Sequence, residues 1–223
     1  MRVIGVDACR GGWVAVALAG DLVPAAARDT SLAALLDRFL GPQRDGTVAI
    51  DMPLGLVESG WRDADRLARG LLGPRRSSVF PIPPRSVWAE PDYAAASLRC
   101  RELTGQGFSV QAWGLRAKLL EADRYRQECR HPLYEVHPEL AFAAMAGVPV
   151  PHSKHTAAGR ELRRELLAGE GIAVAGVPPA LLGDVLDAAA AAWSARRIAA
   201  GGAVTIPGRP QADSEGREIA IRY

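Results

Sequence analysis

The first fifty residues contain four strand-like segments, and their order leaves few folds open to the chain. Apolar runs at residues 2–7, 12–19 and 22–28 are separated by short turn sequences, Gly11-Gly12 and Gly20-Asp21. Turns this short join neighbouring strands in antiparallel pairs, because a parallel pair needs a long crossover. The chain is therefore predicted to begin with a three-stranded antiparallel meander.

The meander leads into a helix and then into a strand of a different kind. The helix is predicted over residues 30–41, where a Thr-Ser pair can cap its start, leucines recur at helical spacing and a glycine ends it. The fourth strand, over residues 47–53, has an unbroken apolar run, which is typical of a parallel strand covered on both faces. Pro53 ends this strand directly after Asp51.

The remainder of the chain predicts helices around further strand segments. Residues 54–130 are mainly helical around a proline-rich connector, and they include a long helix over 109–128. The elements predicted after them are a strand at 132–138, helices over 153–171 and 178–202, and a tail from 217 that alternates like an edge strand. With no internal repeat and no flexible linker, we expect a single domain over 1–223 with a helical insertion at about 54–130.

The composition is that of a globular protein from a reducing compartment. Hydrophobic residues make up 48% of the 223 residues and charged residues 23%, which excludes a disordered chain. The 27 basic residues nearly balance the 25 acidic ones, so no strong global field attracts polyanions. The three cysteines are widely spaced without a CxxC pair, which argues against a disulfide framework and against a zinc site.

Two further observations concern location. The first predicted strand begins at residue 2, which leaves no room for a signal peptide. The longest apolar run, AAAAAW, is far too short to span a bilayer. We therefore expect a soluble, cytoplasmic protein without membrane contacts, and the sequence leaves the oligomeric state open.

Four aspartates occupy positions that a folded sheet can bring together. Asp7 and Asp51 end the first and fourth strands, in runs that otherwise resemble core segments. Asp184 and Asp187 are three residues apart on the last helix and therefore project from one face. The alanines that follow them favour close packing of this helix on the sheet. Asp184 has an alternative explanation, because the helix dipole favours acids in the first turn.

Converging carboxylates point to a metal site. They repel one another, and their burial is costly unless a cation pairs with them. Oxygen ligands of this kind are those that Mg²⁺ and Mn²⁺ prefer. Two such ions about 3.5–4 Å apart can activate water and stabilise the leaving oxygen in phosphodiester cleavage. We therefore predict a metal site of Asp7, Asp51, Asp184 and Asp187, with Asp7 shared between two ions.

The order of the elements resembles the ribonuclease H-like architecture, an α/β fold with a mixed five-stranded sheet flanked by helices. In that arrangement the first strand is central and the fourth lies beside it in parallel. The resemblance implies that Asp7 and Asp51 point toward the same edge of the sheet.

Several motifs together resemble the signature of domain-of-unknown-function family 429, which is described as predicted ribonuclease H-fold nucleases. They are GVDACRGGW, AIDMPLGL, RRSSVFPIPPR, GFSVQAWGL, YEVHPELAF, the K-x₄-G-x₃-R spacing of Lys154, Gly159 and Arg163, and DVLDAAAAAW. The run DVLDAAAAA is also similar to the closing helix motif of bacterial Holliday-junction resolvases, which holds their last two acidic metal ligands. The resemblance implies a metal-dependent nuclease.

The segment YEVHPE adds two candidates for the chemistry. Glu135 and His137 alternate on a strand and so share one face. On that basis Glu135 is a candidate catalytic acid or further metal ligand, and His137 a candidate proton shuttle or phosphate contact. The alternative is a strand-to-helix junction, in which Pro138 and Glu139 stabilise the start of the next helix.

Basic and aromatic residues supply candidates for substrate binding. The residues that we assign to phosphate contacts are Lys154, Arg75, Arg76 and Arg85. Arginines at 62, 66 and 69 recur along one side of a predicted helix, where they either bind phosphate or pair with the acids between them. Phe80, in the proline-rich connector, either stacks on a base or packs on the domain.

The function that these patterns favour is hydrolysis of phosphodiester bonds in DNA or RNA by a two-metal mechanism, with nucleic acid as the substrate. A second hypothesis is a non-catalytic module of the same fold that binds nucleic acid or protein. A third is an ATP-using phosphotransferase of the actin and sugar-kinase type, because GVDACRGGW resembles their first phosphate hairpin. Those proteins close two such domains around the nucleotide, and 223 residues provide only one.

Overall fold

Seven strands form one mixed sheet that carries helices on both faces. The computed structural model describes residues 2–18, 25–41 and 45–223. The strands are β1 (Val3–Cys9), β2 (Gly12–Leu18), β3 (Ala25–Asp29), β4 (Thr47–Asp51), β5 (Leu133–Val136), β6 (Thr205–Ala212) and β7 (Glu218–Arg222). Their order across the sheet is β3-β2-β1-β4-β5-β7-β6.

The first four strands have the arrangement that the sequence predicts. β1 pairs antiparallel with β2, and β2 pairs antiparallel with β3. β4 lies beside β1 and parallel to it, which confirms the prediction from its unbroken apolar run. The predicted turn at Gly20-Asp21 lies outside the described residues.

The far side of the sheet differs from the prediction of five strands. β5 and β7 continue the parallel set, and β6 closes this side in an antiparallel pair with β7. The tail is therefore an internal strand rather than an edge strand. β6 was not predicted, because its sequence TIPGRPQA contains two prolines and a glycine, which are rare in strands. Prolines are tolerated here because an edge strand has fewer partners for its backbone N–H groups.

Eight α-helices and two short 3₁₀ helices complete the described part of the chain. The α-helices are α1 (Leu32–Leu40), α2 (Asp63–Leu72), α3 (Tyr93–Thr104), α4 (Val110–Trp113), α5 (Arg116–Glu128), α6 (Pro138–Ala146), α7 (Ala157–Gly169) and α8 (Leu182–Ala199), and the 3₁₀ helices are Gly73–Ser78 and Arg85–Ala89. The single helix predicted over 109–128 is interrupted at Gly114, since glycine is the weakest helix former after proline. Among these helices, none combines the length and apolar character that a bilayer span requires.

Alternate residues of the central strands face two separate cores. Ile4 of β1 packs with α1, α3 and α5, whereas Val3 packs with α6, α7 and α8. The same alternation holds in β4, where Ile50 faces the first core and Ala49 the second. By this period of two, Asp7 of β1 and Asp51 of β4 both point to the α8 face of the sheet.

A glycine in β1 allows α8 to lie directly on the sheet. A Cβ atom placed on Gly5 would be 2.0 Å from the backbone nitrogen of Ala192 and 2.1 Å from the carbonyl oxygen of Ala188. These distances are far shorter than any real contact, so only glycine fits. Residues 188–192 are five successive buried alanines. The close packing predicted for this helix is confirmed, and it brings the acids at the start of α8 up to the strand ends.

Candidate functional site

Two aspartates lie side by side at the carboxyl ends of the central strands. Asp7 and Asp51 are register partners in the parallel pair of β1 and β4, and neighbouring strands are only about 4.8 Å apart. Asp7 is 6% exposed. Burial, followed by the charges of Asp51 and Asp187, raises the pKa of Asp7 well above its usual value. Burial also raises the pKa of Asp51 to about 6, although the charges of His137 and Lys154 oppose that shift.

The first turns of α8 bring two more carboxylates to the same place. Asp187 is 2% exposed, and Asp184 lies one turn earlier with a partly exposed side chain. The negative charges of Asp184 and Asp187 both raise the pKa of Asp7. Asp7, Asp51, Asp184 and Asp187 therefore lie near one another at this end of the sheet, and we call these four residues the aspartate cluster.

A lysine from the segment before α7 enters the aspartate cluster. The Nζ atom of Lys154 lies 2.5 Å from Oδ2 of Asp187. Burial lowers the pKa of Lys154, but the charges of Asp187 and Asp7 outweigh burial and place the pKa above its usual value. The sequence assigned Lys154 to the substrate, whereas the structure places its ammonium group among the carboxylates.

The donor set suits a hard divalent cation by its chemistry. All four side chains offer carboxylate oxygen atoms, which are the ligands that Mg²⁺ and Mn²⁺ bind. Burial and mutual repulsion raise the pKa values of Asp7 and Asp51, and a bound cation would remove that repulsion. In the described parts of the chain, however, no three His, Cys, Asp or Glu side chains converge closely enough to hold an ion. Asp187, a ligand in the predicted site, is paired with Lys154 instead.

The aspartate cluster lines two adjoining cavities. The first has a volume of about 260 Å³ and is lined by Asp7, Asp51 and Asp184. The second, of about 360 Å³, is lined by Asp51 and Asp187. The residues shared by both cavities are Asp51, Ser78, Phe80, His137 and Lys154. A ligand could therefore extend from one cavity into the other past these side chains.

Glu135 points to the face of the sheet opposite α8, although it lines the first cavity together with Asp7, Asp51 and Asp184. Its neighbour Val136 packs in the core that contains α8, so by strand alternation Glu135 points to the opposite face. Its Oε2 atom accepts a hydrogen bond from the backbone N–H of Leu54 at 2.7 Å, and Nη2 of Arg62 lies 2.5 and 2.6 Å from its two oxygens. Burial raises the pKa of Glu135 to about 7, although Arg62 opposes the shift. Both carboxylate oxygens of Glu135 are therefore occupied by contacts with Arg62 and Leu54.

The partner of Glu135 belongs to a buried ion network. Arg62, which precedes α2, is 1% exposed, and its Nε atom lies 3.5 Å from Oδ1 of the buried Asp65. Asp65 in turn accepts a hydrogen bond from the backbone N–H of Ile82. This network connects α2 to β5 and to the proline-rich connector. The sequence left two alternatives for Arg62, phosphate binding and pairing with acids. The structure shows pairing with acids.

His137 lies beside the aspartate cluster at the start of α6. Its Nε2 atom donates a hydrogen bond of 3.2 Å to the carbonyl oxygen of Ser78. In the neutral ring this leaves Nδ1 as a proton acceptor. Nδ1 is buried and has no hydrogen-bond partner among the residues that the structure describes. The charge of His137 opposes the rise in the pKa of Asp51. The ring is therefore close enough to the aspartate cluster to move a proton beside it.

The three candidate arginines have different surroundings. Arg75 lines the second cavity and lies 3.5 Å from the carboxylate of Glu139. Arg85 is bound to Asp123 at 2.7 Å and, within the described residues, lines neither cavity. Arg76 is exposed and also lies outside both cavities as described. Of the three, the structure brings Arg75 alone to the cavities.

Two features of the site were not predicted. One is the pairing of Lys154 with Asp187, and the other is the pairing of Arg62 with Glu135. A signal for Lys154 was present, because it is one of only two lysines in a chain that otherwise uses arginine. The pairing of Arg62 with Glu135 carries no comparable signal, since the two residues are 73 positions apart in the sequence.

The comparisons with known proteins give one result. A family model with the description "Protein of unknown function (DUF429)" matches residues 5–212. The matched span contains the whole aspartate cluster and Lys154, and it ends with the last residue of β6. No curated protein and no solved structure matches the chain.

Proposed function

The chain belongs to the DUF429 family of proteins of unknown function, and on that premise we propose that it is a metal-dependent nuclease that hydrolyses phosphodiester bonds of DNA or RNA. One observation carries the proposal: Asp7, Asp51 and the two acids of α8 meet beside a cavity, with burial holding the pKa values of the strand acids high. A bound cation would relieve the repulsion between clustered carboxylates of this kind.

The order of the strands supports a ribonuclease H-like core. We assign that core to the five strands in the order β3-β2-β1-β4-β5. In it β1 is central, β2 is antiparallel to it, and β4 and β5 are parallel to it. β7 and β6 then extend the core on the β5 side.

The side chains of the cluster have assigned roles in this proposal. Asp7 and Asp51 would hold the cation from the sheet, and Asp184 and Asp187 would approach it from α8. When bound, the cation would polarise a phosphoryl oxygen and lower the pKa of a coordinated water. Nδ1 of His137 would accept or return a proton at the edge of the cluster.

The walls of the two cavities would hold the substrate. Arg75 offers a guanidinium group for a phosphate in the second cavity. Phe80 is partly exposed and lines both cavities, so that a base could stack on its ring. The buried surroundings of Asp7 and Asp187 would limit the access of bulk water.

One observation favours the alternative of a binding module without catalysis. Lys154 already pairs with Asp187, so the protein carries a positive charge of its own in the cluster. A protein that had lost its metal could stabilise the remaining acids in this way. The two functions differ in whether the protein cleaves nucleic acid.

Cleavage assays with the purified chain test the proposal. The substrates are labelled single- and double-stranded DNA and RNA in Mn²⁺, in Mg²⁺ and in a chelator. We expect cleavage of at least one substrate with a divalent cation and none in chelator. Asp7→Asn should reduce cleavage to background, because it removes a carboxylate at the centre of the cluster.

The matched control is Asp45→Asn. Asp45 is exposed and precedes β4, so it lies at the end of that strand opposite Asp51. This variant should cleave as fast as the wild type. Equal activity of the wild type and Asp7→Asn would indicate a contaminating nuclease and would refute the proposal.

A further inference from the structure

The ammonium group of Lys154 is in the place where a second cation would be needed. It lies 2.5 Å from a carboxylate oxygen of Asp187, a residue that is 2% exposed. Its positive charge also acts to lower the pKa values of Asp7, Asp51 and Asp184. One lysine therefore compensates charge on every member of the aspartate cluster.

The segment that carries Lys154 is fixed by the rest of the K-x₄-G-x₃-R motif. Gly159 packs against the backbone of Ser153, where an added Cβ atom would be 2.0 Å from the carbonyl oxygen. Arg163 is fully buried and donates a hydrogen bond of 3.0 Å to the carbonyl oxygen of His152. The glycine and the arginine thus anchor the backbone of the two residues that directly precede the lysine. A lysine held in this way differs from an ordinary mobile surface lysine.

A second divalent ion would compete with Lys154 for Asp187. The oxygen that the ammonium group contacts is a ligand in a two-ion site, and two cations at such a short distance repel each other. The ammonium group is part of the chain and is always present, whereas a free ion must displace it.

We propose that Lys154 is the second cation of the aspartate cluster, so that the site binds one divalent ion where the two-metal mechanism has two. This inference rests on the proposed function. An ammonium group has three N–H donors, and one of them is used by Asp187. Lys154 lines both cavities, so the other two can donate to phosphate oxygens of the substrate.

Manganese binding to the full chain tests the inference without a substrate. Isothermal titration with Mn²⁺ gives the number of ions per chain, and electron paramagnetic resonance distinguishes an isolated ion from a coupled pair. We expect the wild type to bind one ion with the spectrum of isolated Mn²⁺. Lys154→Met should bind two ions and show the spectrum of a coupled pair, whereas Lys154→Arg keeps the charge and should bind one.

The matched control is Lys118→Met, which removes the other lysine of the chain. Lys118 lies 3.6 Å from Glu121 and over the ring of Trp13, outside the cluster. This variant should bind one ion.

The outcomes separate this inference from the proposed function. Two ions in the wild type would overturn the role of Lys154 and leave the proposed nuclease intact. One ion in both the wild type and a folded Lys154→Met would also overturn that role. No ion in the wild type would overturn both. If Lys154→Met fails to fold, a count of two ions or of none in the wild type would still overturn the inference.

Discussion

At the scale of single residues, we expect the ionised side chain of Asp51 to destabilise the folded protein. Burial raises its pKa from 3.8 to about 6. Because the pKa in the folded state is above that in the unfolded state, the ionised side chain destabilises the fold at high pH. Below about pH 4 the carboxyl group is protonated in both states and the penalty disappears; it grows as the pH rises toward 6 and is then constant.

Asp51→Asn should therefore stabilise the metal-free protein in a pH-dependent way. In chelator at pH 8 we expect the variant to exceed the wild type by about 1–3 kcal/mol in free energy of unfolding, since one pKa unit corresponds to about 1.4 kcal/mol. At about pH 4 most of this difference should be lost. Urea unfolding at both pH values measures it, with Asp45→Asn as the control. A less stable Asp51→Asn at pH 8 would contradict the assigned pKa shift.

The residue types of the site could be predicted better than their partners. Asp7, Asp51, Asp184 and Asp187 were found from their positions at strand ends and on one helix face. Glu135 could not be assigned in the same way, because its surroundings depend on Leu54 and Arg62 of the insertion. No local pattern determines how an insertion of this length folds back on the sheet.

At the scale of elements, the contact between β1 and α8 positions the cluster. Gly5→Ala would place a methyl group inside the backbone of α8. The helix would have to move away, and its acids would move with it. We expect a loss of at least about 1–3 kcal/mol in free energy of unfolding, the usual cost of overpacking a core. Thermal or urea unfolding measures this loss.

The control for this substitution is Gly70→Ala in α2. A Cβ atom at Gly70 would have no neighbour within 4 Å. Alanine is the better helix former by about 1 kcal/mol, so this variant should be as stable as the wild type or more stable. If Gly5→Ala were as stable as Gly70→Ala, the close packing of α8 on β1 would be refuted.

Elements with strong local patterns were predicted well, and the others were not. β1 to β4 have long apolar runs or short turns, and α8 has an alanine-rich run. β6 carries prolines that its edge position tolerates, which no local pattern shows. α4 and α5 are separated by Gly114 and Leu115, a break that the helical period over 109–128 does not show.

At the scale of the whole molecule, a bound cation would connect distant parts of the chain. Its ligands would come from β1, β4 and α8, so binding would require the folded state. Mn²⁺ at one hundred times its dissociation constant adds about 2.7 kcal/mol of stability. For a domain of this size we expect a rise of about 5–10 °C in melting temperature relative to chelator.

Asp7→Asn should show a much smaller rise, because it loses a ligand from the centre of the cluster. Differential scanning calorimetry of both proteins under both conditions provides the comparison. Identical melting temperatures for the wild type in Mn²⁺ and in chelator would contradict a metal site.

The placement of the aspartate cluster along the chain also determines when the site exists during synthesis. Asp7 and Asp51 leave the ribosome early, but Asp184 and Asp187 follow only after the insertion, β5 and two further helices have been translated. Domains fold as units, with the amino-terminal parts appearing first, and the nascent chain lacks the acids of α8 until late. For the nuclease that we propose, this order would delay activity until α8 has been made. A truncated translation product that ends before α8 would hold no complete aspartate cluster.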